Sequence, residues 1–502
     1  MKEILDFVYE EQKQLSVFGG IAALLGWDQM TYMPQGGGGD RSEHISLISR
    51  LAHEKFTSDR FYEKTKKLME PKIFESLDEN QRVMVIRLMK DIEKSRKVPT
   101  DFVKRMSKTT TLAYDAWQQA KKKNDFSLFS SHLEKIVELE KEYCGYIDLA
   151  GPVYNSLLDD YEEGMTVGQL QREFSTLRSD LSLILNKITS SSVYEKQQMF
   201  NKEVDAVKQR QLCDFFVELI GLPQSRCRLD VSAHPFTTSL GYDDVRLTTN
   251  FDRMNPLFSF FSTVHESGHA LYELSLPQGV FKDTVISDCP SLGLHESQSR
   301  LWENMIARGK PFWNFCYPRF KQIAKNELSG IDADSWYRYV NQVRPSLIRV
   351  EADELTYCLH VIVRFEIEHA LLEDTISVSE LPSVWNEKMD ELLGVVPSSD
   401  SEGVLQDMHW SGGSFGYFPT YAIGTVYASQ LFAQIKKECV SFDSDVQKGD
   451  FSSVIKWLND KVFSYGRLLT ADEIVKNACG SGLNSKVFVT YLQDKYYELY
   501  EL

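Results

Sequence analysis

Apolar residues recur at helical spacing along most of this 502-residue chain, and that pattern limits the possible folds more than any other feature. In "SSHLEKIVELEKEYCGYIDLAG", Leu133, Ile136, Val137, Tyr143, Cys144 and Ile147 form one stripe, interrupted by Glu140, in a helix expected to stop at Gly151. "VGQLQREFSTLRSDLSLILNKI" repeats the pattern through Leu170, Phe174, Leu177, Leu181, Ile184 and Ile188. Both stripes read as core packing. The stretch from Lys97 to Asp125 reads as helical after Pro99, with Lys121 to Lys123 in a solvated turn.

Only one region changes character. Arg228 to Phe251, "RLDVSAHPFTTSLGYDDVRLTTNF", is rich in Thr, Val and turn residues, and "VRLTTNF" alternates. It predicts two or three short strands with a Gly-Tyr-Asp-Asp turn, forming a small antiparallel sheet. Asn255-Pro256 then signals a helix start. No internal repeat and no long linker interrupts the chain. Gly151 to Thr166 and Thr189 to Glu195 read as loops between helices, so the expected architecture is mainly α in a single domain spanning 1–502.

Net charge is −16, which disfavours nucleic acid or an anionic membrane as the main partner, since both attract a basic face. Aromatic residues make up 12% of the chain, as in a packed globule. The eight cysteines form no C-x-x-C pair and read as free thiols of a reducing compartment. The first residues, MKEILDFVYEEQKQ, mix charges where a signal peptide needs a basic and then an apolar run, and "VFGGIAALLGW" is too short to span a bilayer. A cytoplasmic protein is the expectation.

The helix announced by Asn255-Pro256 carries "TVHESGHALYEL", with His265 and His269 four residues apart and Glu266 between them. On a helix, residues at that spacing share a face, with Cβ atoms about 5–6 Å apart, close enough to hold one tetrahedral ion. Glu266 sits one position round, where its carboxylate reaches a water rather than the metal. This is the arrangement of a metal-dependent peptidase, with the Glu as general base. Chance and a packed histidine pair compete with that reading. The preceding strand and cap favour the metal site, as does Gly268, read as giving open access beside His269. A third ligand is required. Asp283, Asp288, His295, Glu296 and Glu303 are candidates, and spacing does not choose between His295 and Glu296 in a helix expected to start near Leu294.

"HESGH" followed by "HESQSR" resembles the metallocarboxypeptidase family typified by carboxypeptidase Taq (M32). Further blocks of that family follow its order: "HPF" at His234, "DVRLT" at Asp244, "IRVEADELTY" at Ile348 and "GVLQDMHW" at Gly403. "LLGWDQMTYMP" and "LLDDYEEGMT" extend the resemblance over the whole chain. The resemblance implies Glu296 as third ligand, one divalent metal per chain, a deep groove and a homodimer. Residues 1–200 would then cover the groove, and 201–502 would carry the motifs. Zn²⁺ is the expected metal, with Co²⁺ or Mn²⁺ able to serve at the same donors.

Removing a C-terminal residue requires a grip on a free carboxylate, which arginine supplies through its bidentate fork. Arg349 leads the candidates. Arg246, expected to brace the site by pairing with an acid, and Arg344 follow. In "QDMHWSGGSFGYFPTYAIG", His409 and Tyr421 are candidate oxyanion or substrate donors, with Tyr417 in reserve. His234 is a candidate contact to the substrate backbone. His360 and His369, among apolar neighbours, read as core residues or as support behind the ligands. The reading is a metallocarboxypeptidase acting on peptides with a free C-terminus. An oligopeptidase cutting within short peptides, or a non-catalytic peptide-binding protein, are the alternatives.

Overall fold

The computed structural model describes residues 1–197 and 200–502. Helices dominate, and one small sheet interrupts them. The two apolar stripes lie in the helices Ser127–Ile147 and Val167–Thr189, and their aliphatic residues are buried. The first helix ends at Asp148 in the left-handed conformation, three residues before the expected Gly151. Glu140, which breaks its stripe in the sequence, is buried along with the stripe. The second helix starts with a capping box between Thr166 and Gln169, which satisfies backbone N–H groups that the first turn leaves unpaired. Lys121 to Lys123 form the last turn of the helix Thr100–Lys123 rather than a separate turn.

Part of the expected loop at Gly151 to Thr166 is a two-turn helix, Tyr154–Tyr161, anchored by the fully buried Tyr154, Leu157 and Leu158. The sheet has three strands, β1 (Cys227–Val231), β2 (Thr237–Gly241) and β3 (Asp244–Thr249), in the order β1-β3-β2. β2 and β3 form the expected antiparallel hairpin around the Gly241–Asp244 turn. β1, however, pairs with β3 in parallel, so the sheet is mixed rather than antiparallel. Residues 232–236 carry the chain past the space that β3 fills, so β1 and β2 are not neighbours.

The helix Pro256–Glu273 follows the sheet, with Pro256 in its first turn. Asn255 precedes it without a side-chain capping bond. Its buried Phe260, Phe261, Val264, Ala270, Leu271 and Tyr272 join one large core. A second, smaller core lies under the N-terminal helices, where Leu5, Val8, Phe61, Leu88 and Ile92 pack with Phe281 and Ile286 from the segment after the motif helix. The structure also has a groove cavity of about 730 Å³. Lys94, Asp160, Tyr161, Glu273, Asp288 and His295 are among the residues that line it. Among the described residues, no helix is long and apolar enough to cross a membrane.

Candidate metal centre and substrate site

Three side chains converge next to the groove-lining His295. Ligand atoms of His265, His269 and Glu296 lie within 4.8 Å of one another, with His265 Nε2 and His269 Nε2 at 3.6 and 3.4 Å from Glu296 Oε2. Glu296 belongs to the helix Leu292–Arg300, which starts two residues earlier than expected because the Ser291 hydroxyl caps the N–H of Leu294. This helix crosses the motif helix closely. A Cβ on Gly268 would stand 2.6 Å from the carbonyl oxygen of Gln298, so Gly268 makes room for helix packing rather than opening access to His269. Gly424 does the same on the other side, where a Cβ would lie 2.7 Å from Glu296 Cβ.

The atoms behind the three ligands set their protonation. Arg300 Nε donates to Glu296 Oε1 at 2.7 Å and the Ser299 hydroxyl to Oε2 at 3.1 Å, which fixes the carboxylate plane. Burial works to raise this carboxyl, but Arg300, His265 and His269 hold it well below the usual carboxylate range. His265 Nδ1 lies 2.8 Å from Glu303 Oε2, and Glu303 sits in a π-helical turn, Leu301–Ile306, that continues the Glu296 helix. His269 Nδ1 lies 2.5 Å from His295 Nδ1, and His295 Nε2 lies 2.8 Å from Glu273 Oε1. With each Nδ1–H donating outward along these chains, both Nε2 lone pairs face Glu296. Burial pulls His269 down to about 4, so its ring is neutral near pH 7. Glu296 and Glu303 raise His265 against its burial. Two imidazoles and one ionised carboxylate, each oriented from behind, are the donor set that a divalent cation of the Zn²⁺ type takes.

His295 and Glu303 thus support the ligands rather than joining them. Asp283 forms a hydrogen bond with Ser16, and Asp288 lines the groove. Glu266, next to the first imidazole, is buried and aimed by the sheet: the Thr237 hydroxyl donates to Oε2 at 2.7 Å. Burial raises this carboxyl above its ordinary value, against the charge of His265 and the Thr237 bond.

A second cluster stands beside the first. Asp407 accepts from two guanidiniums, Arg349 Nη2 at 2.8 Å and Arg364 Nε at 2.7 Å, so the buried group carries one surplus positive charge. Arg349 spends further N–H groups on Asp407 through Nε at 3.2 Å and on the Tyr357 hydroxyl at 3.0 Å, leaving two of its five. Its guanidinium carbon lies 5.0 Å from the centre of the Tyr421 ring. The Tyr357 ring in turn stacks under Arg300, at 4.1 Å, which links the cluster to Glu296.

His409 Nε2 lies 3.4 Å from the Tyr421 hydroxyl, and its buried Nδ1 has no partner among the described residues. Burial, with Arg349 and Arg364 and against Asp407, pulls His409 down to about 4. Burial pushes the Tyr417 and Tyr421 phenols up, so both stay protonated donors. The rings of Tyr417 and Tyr421 meet edge to face at 5.2 Å.

The remaining candidates lie elsewhere. Arg246 forms a bidentate pair with Asp244 and lies 4.2 Å over the Trp27 ring. Arg344 turns to Gln342 and Gln197. His234 is exposed on the loop between β1 and β2, where its carbonyl accepts from the Ser232 hydroxyl. His360 is fully buried and His369 stacks on Phe365. Sequence reasoning assigned nothing to Asp407, Arg364, Arg300, Glu273, Thr237 or Tyr357. Asp407, Tyr357, Arg300, Glu273 and Thr237 stood inside quoted stretches and could have been weighed.

A two-histidine, one-glutamate centre with a neighbouring glutamate, in a mainly helical fold, defines a metal-dependent peptidase. The chain belongs to the carboxypeptidase Taq (M32) metallopeptidase family, whose model matches residues 7–496. It is 38% identical to Carboxypeptidase 1 of Bacillus subtilis over 501 residues, covering 100% of this chain and 99% of that protein. It is 38% identical to Thermostable carboxypeptidase 1 of Pyrococcus furiosus over 98% of each. The crystal structure of an M32 carboxypeptidase from Deinococcus radiodurans R1 superposes with a TM-score of 0.96 at 34% identity, with all of both chains covered. The protein is accordingly an enzyme, a metallocarboxypeptidase.

Proposed function

We propose that the enzyme removes single C-terminal residues from peptides, with His265, His269 and Glu296 holding one Zn²⁺ and Arg349 receiving the substrate carboxylate. A divalent cation at these three donors supplies Lewis acidity toward the scissile carbonyl and acidifies the attacking water. Glu266 accepts the proton of that water and returns it to the departing amine. Tyr421, with His409 and Tyr417 beside it, donates to the oxygen on which negative charge develops. The observation that carries the reading is the surplus positive charge of the Arg349–Asp407–Arg364 group, buried beside the Glu296 centre in a chain of net charge −16. A buried unbalanced guanidinium is costly unless an anion completes it, and a peptide's terminal carboxylate is such an anion.

Arg246 and His234 are proposed as further substrate contacts, and residues 1–200 as the cover of the groove. A homodimer in the cytoplasm completes the proposal; eight free thiols suit a reducing compartment. The test compares kcat/KM for one peptide as free acid and as C-terminal amide. A strong preference for the free acid is expected. Equal rates would favour an oligopeptidase cutting within the chain.

A further inference from the structure

Glu368 is fully buried in the helix Tyr357–Leu372, and none of the chemistry above uses it. Its carboxylate accepts three hydrogen bonds. Trp410 Nε1 donates to Oε1 at 2.7 Å. The Tyr154 hydroxyl and the backbone N–H of Gly416 donate to Oε2 at 2.5 and 2.9 Å. Two of these donors stand at opposite ends of one turn. Trp410 follows His409, and Gly416 precedes Tyr417 and the helix Phe418–Glu438 that bears Tyr421. The third donor lies on the helix Tyr154–Tyr161, in the N-terminal part. Gly416 has φ +82°, and a Cβ there would lie 2.8 Å from the backbone of Leu157, so the turn is seated directly on that helix.

We infer that Glu368 is the positioning residue of the substrate site: one carboxylate pins both ends of the turn that presents His409, Tyr417 and Tyr421. The inference rests on the reading of those three side chains as substrate-facing donors. Its mechanism is geometric. A carboxylate offers acceptors on both oxygens, and all three groups aimed at Glu368 are donors. Glutamine at this position would turn an NH₂ either toward the Trp410 N–H or toward the Gly416 N–H, and neither can accept. The turn would then be held at one end only, and misplacement by about 1 Å can cost about 10²-fold in rate.

The experiment measures kcat per bound metal and KM, well below the unfolding midpoint, for a free-acid peptide and its amide. Glu368→Gln is expected to lower kcat by about 10²-fold with metal content unchanged. Adding Trp410→Phe removes the opposing donor, lets the amide oxygen face Gly416, and should recover most of that loss. Adding Tyr154→Phe leaves the conflict between the Trp410 and Gly416 donors in place and should recover none. Wild-type kcat and KM in Glu368→Gln would overturn the inference, as would equal recovery by the two second changes. If Glu368→Gln does not fold, Tyr154→Phe alone decides, with an expected fall in kcat of about 3- to 10-fold for one lost hydrogen bond. No fall would refute the role. Failure of the functional reading is separately visible, because a wild type that hydrolyses acid and amide equally has no carboxylate site to position.

Discussion

Replacing Arg349 with alanine removes one of the two guanidiniums that share Asp407. Arg364 remains on Asp407 Oδ2 at 2.6 Å, so the carboxylate keeps a partner and the group falls from one surplus positive charge to neutral. What is lost is the charge and the two N–H groups that Asp407 and Tyr357 leave unspent. Because Arg349 is 5% exposed, the missing contact is desolvated, and such a pair is worth about 2–5 kcal/mol. That corresponds to a fall of about 30- to 5,000-fold in kcat/KM for a free-acid peptide. Arg349→Lys keeps the charge but loses the planar fork, so its loss should be smaller yet clear. The assay follows matched acid and amide peptides on wild type and both variants, with metal content measured in parallel. The acid peptide should fall toward the amide, and the amide and the metal content should not change. A full acid preference surviving in Arg349→Ala, with metal retained, would refute the reasoning and move the carboxylate grip to another arginine.

His265→Ala and His269→Ala should each lose bound metal and activity together, as measured by elemental analysis of the purified variants. Glu303→Ala, which strips the orienting partner from His265, should weaken metal affinity by about 10- to 100-fold in a chelator competition. Glu266→Gln should retain stoichiometric metal while kcat falls by about 10²–10⁴-fold; near-normal turnover would remove Glu266 as the base. His409 titrates at about 4 in the folded protein against an ordinary value of 6.5, so between those values the unfolded state binds the extra proton. Stability therefore rises with pH across that window and is lost on acidification. The slope of unfolding midpoint against pH between 4 and 6.5 should flatten in His409→Gln, and an unchanged slope would place this titration elsewhere.

The long helices were legible because burial repeats with their own period: Leu170 to Ile188 announce one face of one helix. Tyr154–Tyr161 was not, since two turns are too short for a period to stand out from a cluster of apolar residues. The sheet was expected antiparallel, and the parallel partnership of β1 and β3 escaped because alternation along a strand is the same whichever way its neighbour runs. In the candidate site, His265, Glu266 and His269 were legible because their spacing is local. Glu303 reaches His265 through a π-helical turn that leaves no periodic trace, and Glu273 reaches His269 only through His295. Glu368 was masked by "LHVIVRFEIEHALL", where two acids, Glu366 and Glu368, among apolar neighbours read as a helix edge. Gly268 was read for access when its real constraint is the 2.6 Å approach of a second helix, which no single stretch of sequence displays.

The central claim is metal-dependent release of residues one at a time from the carboxyl end. It is tested most directly by following a free-acid peptide by mass spectrometry with the metal-loaded enzyme, with the chelated enzyme, and after metal is restored. A ladder shortened residue by residue from the C-terminus, absent after chelation and regained with one equivalent of divalent metal per chain, is the predicted result. Internal fragments, or a ladder that persists in the metal-free enzyme, would contradict it.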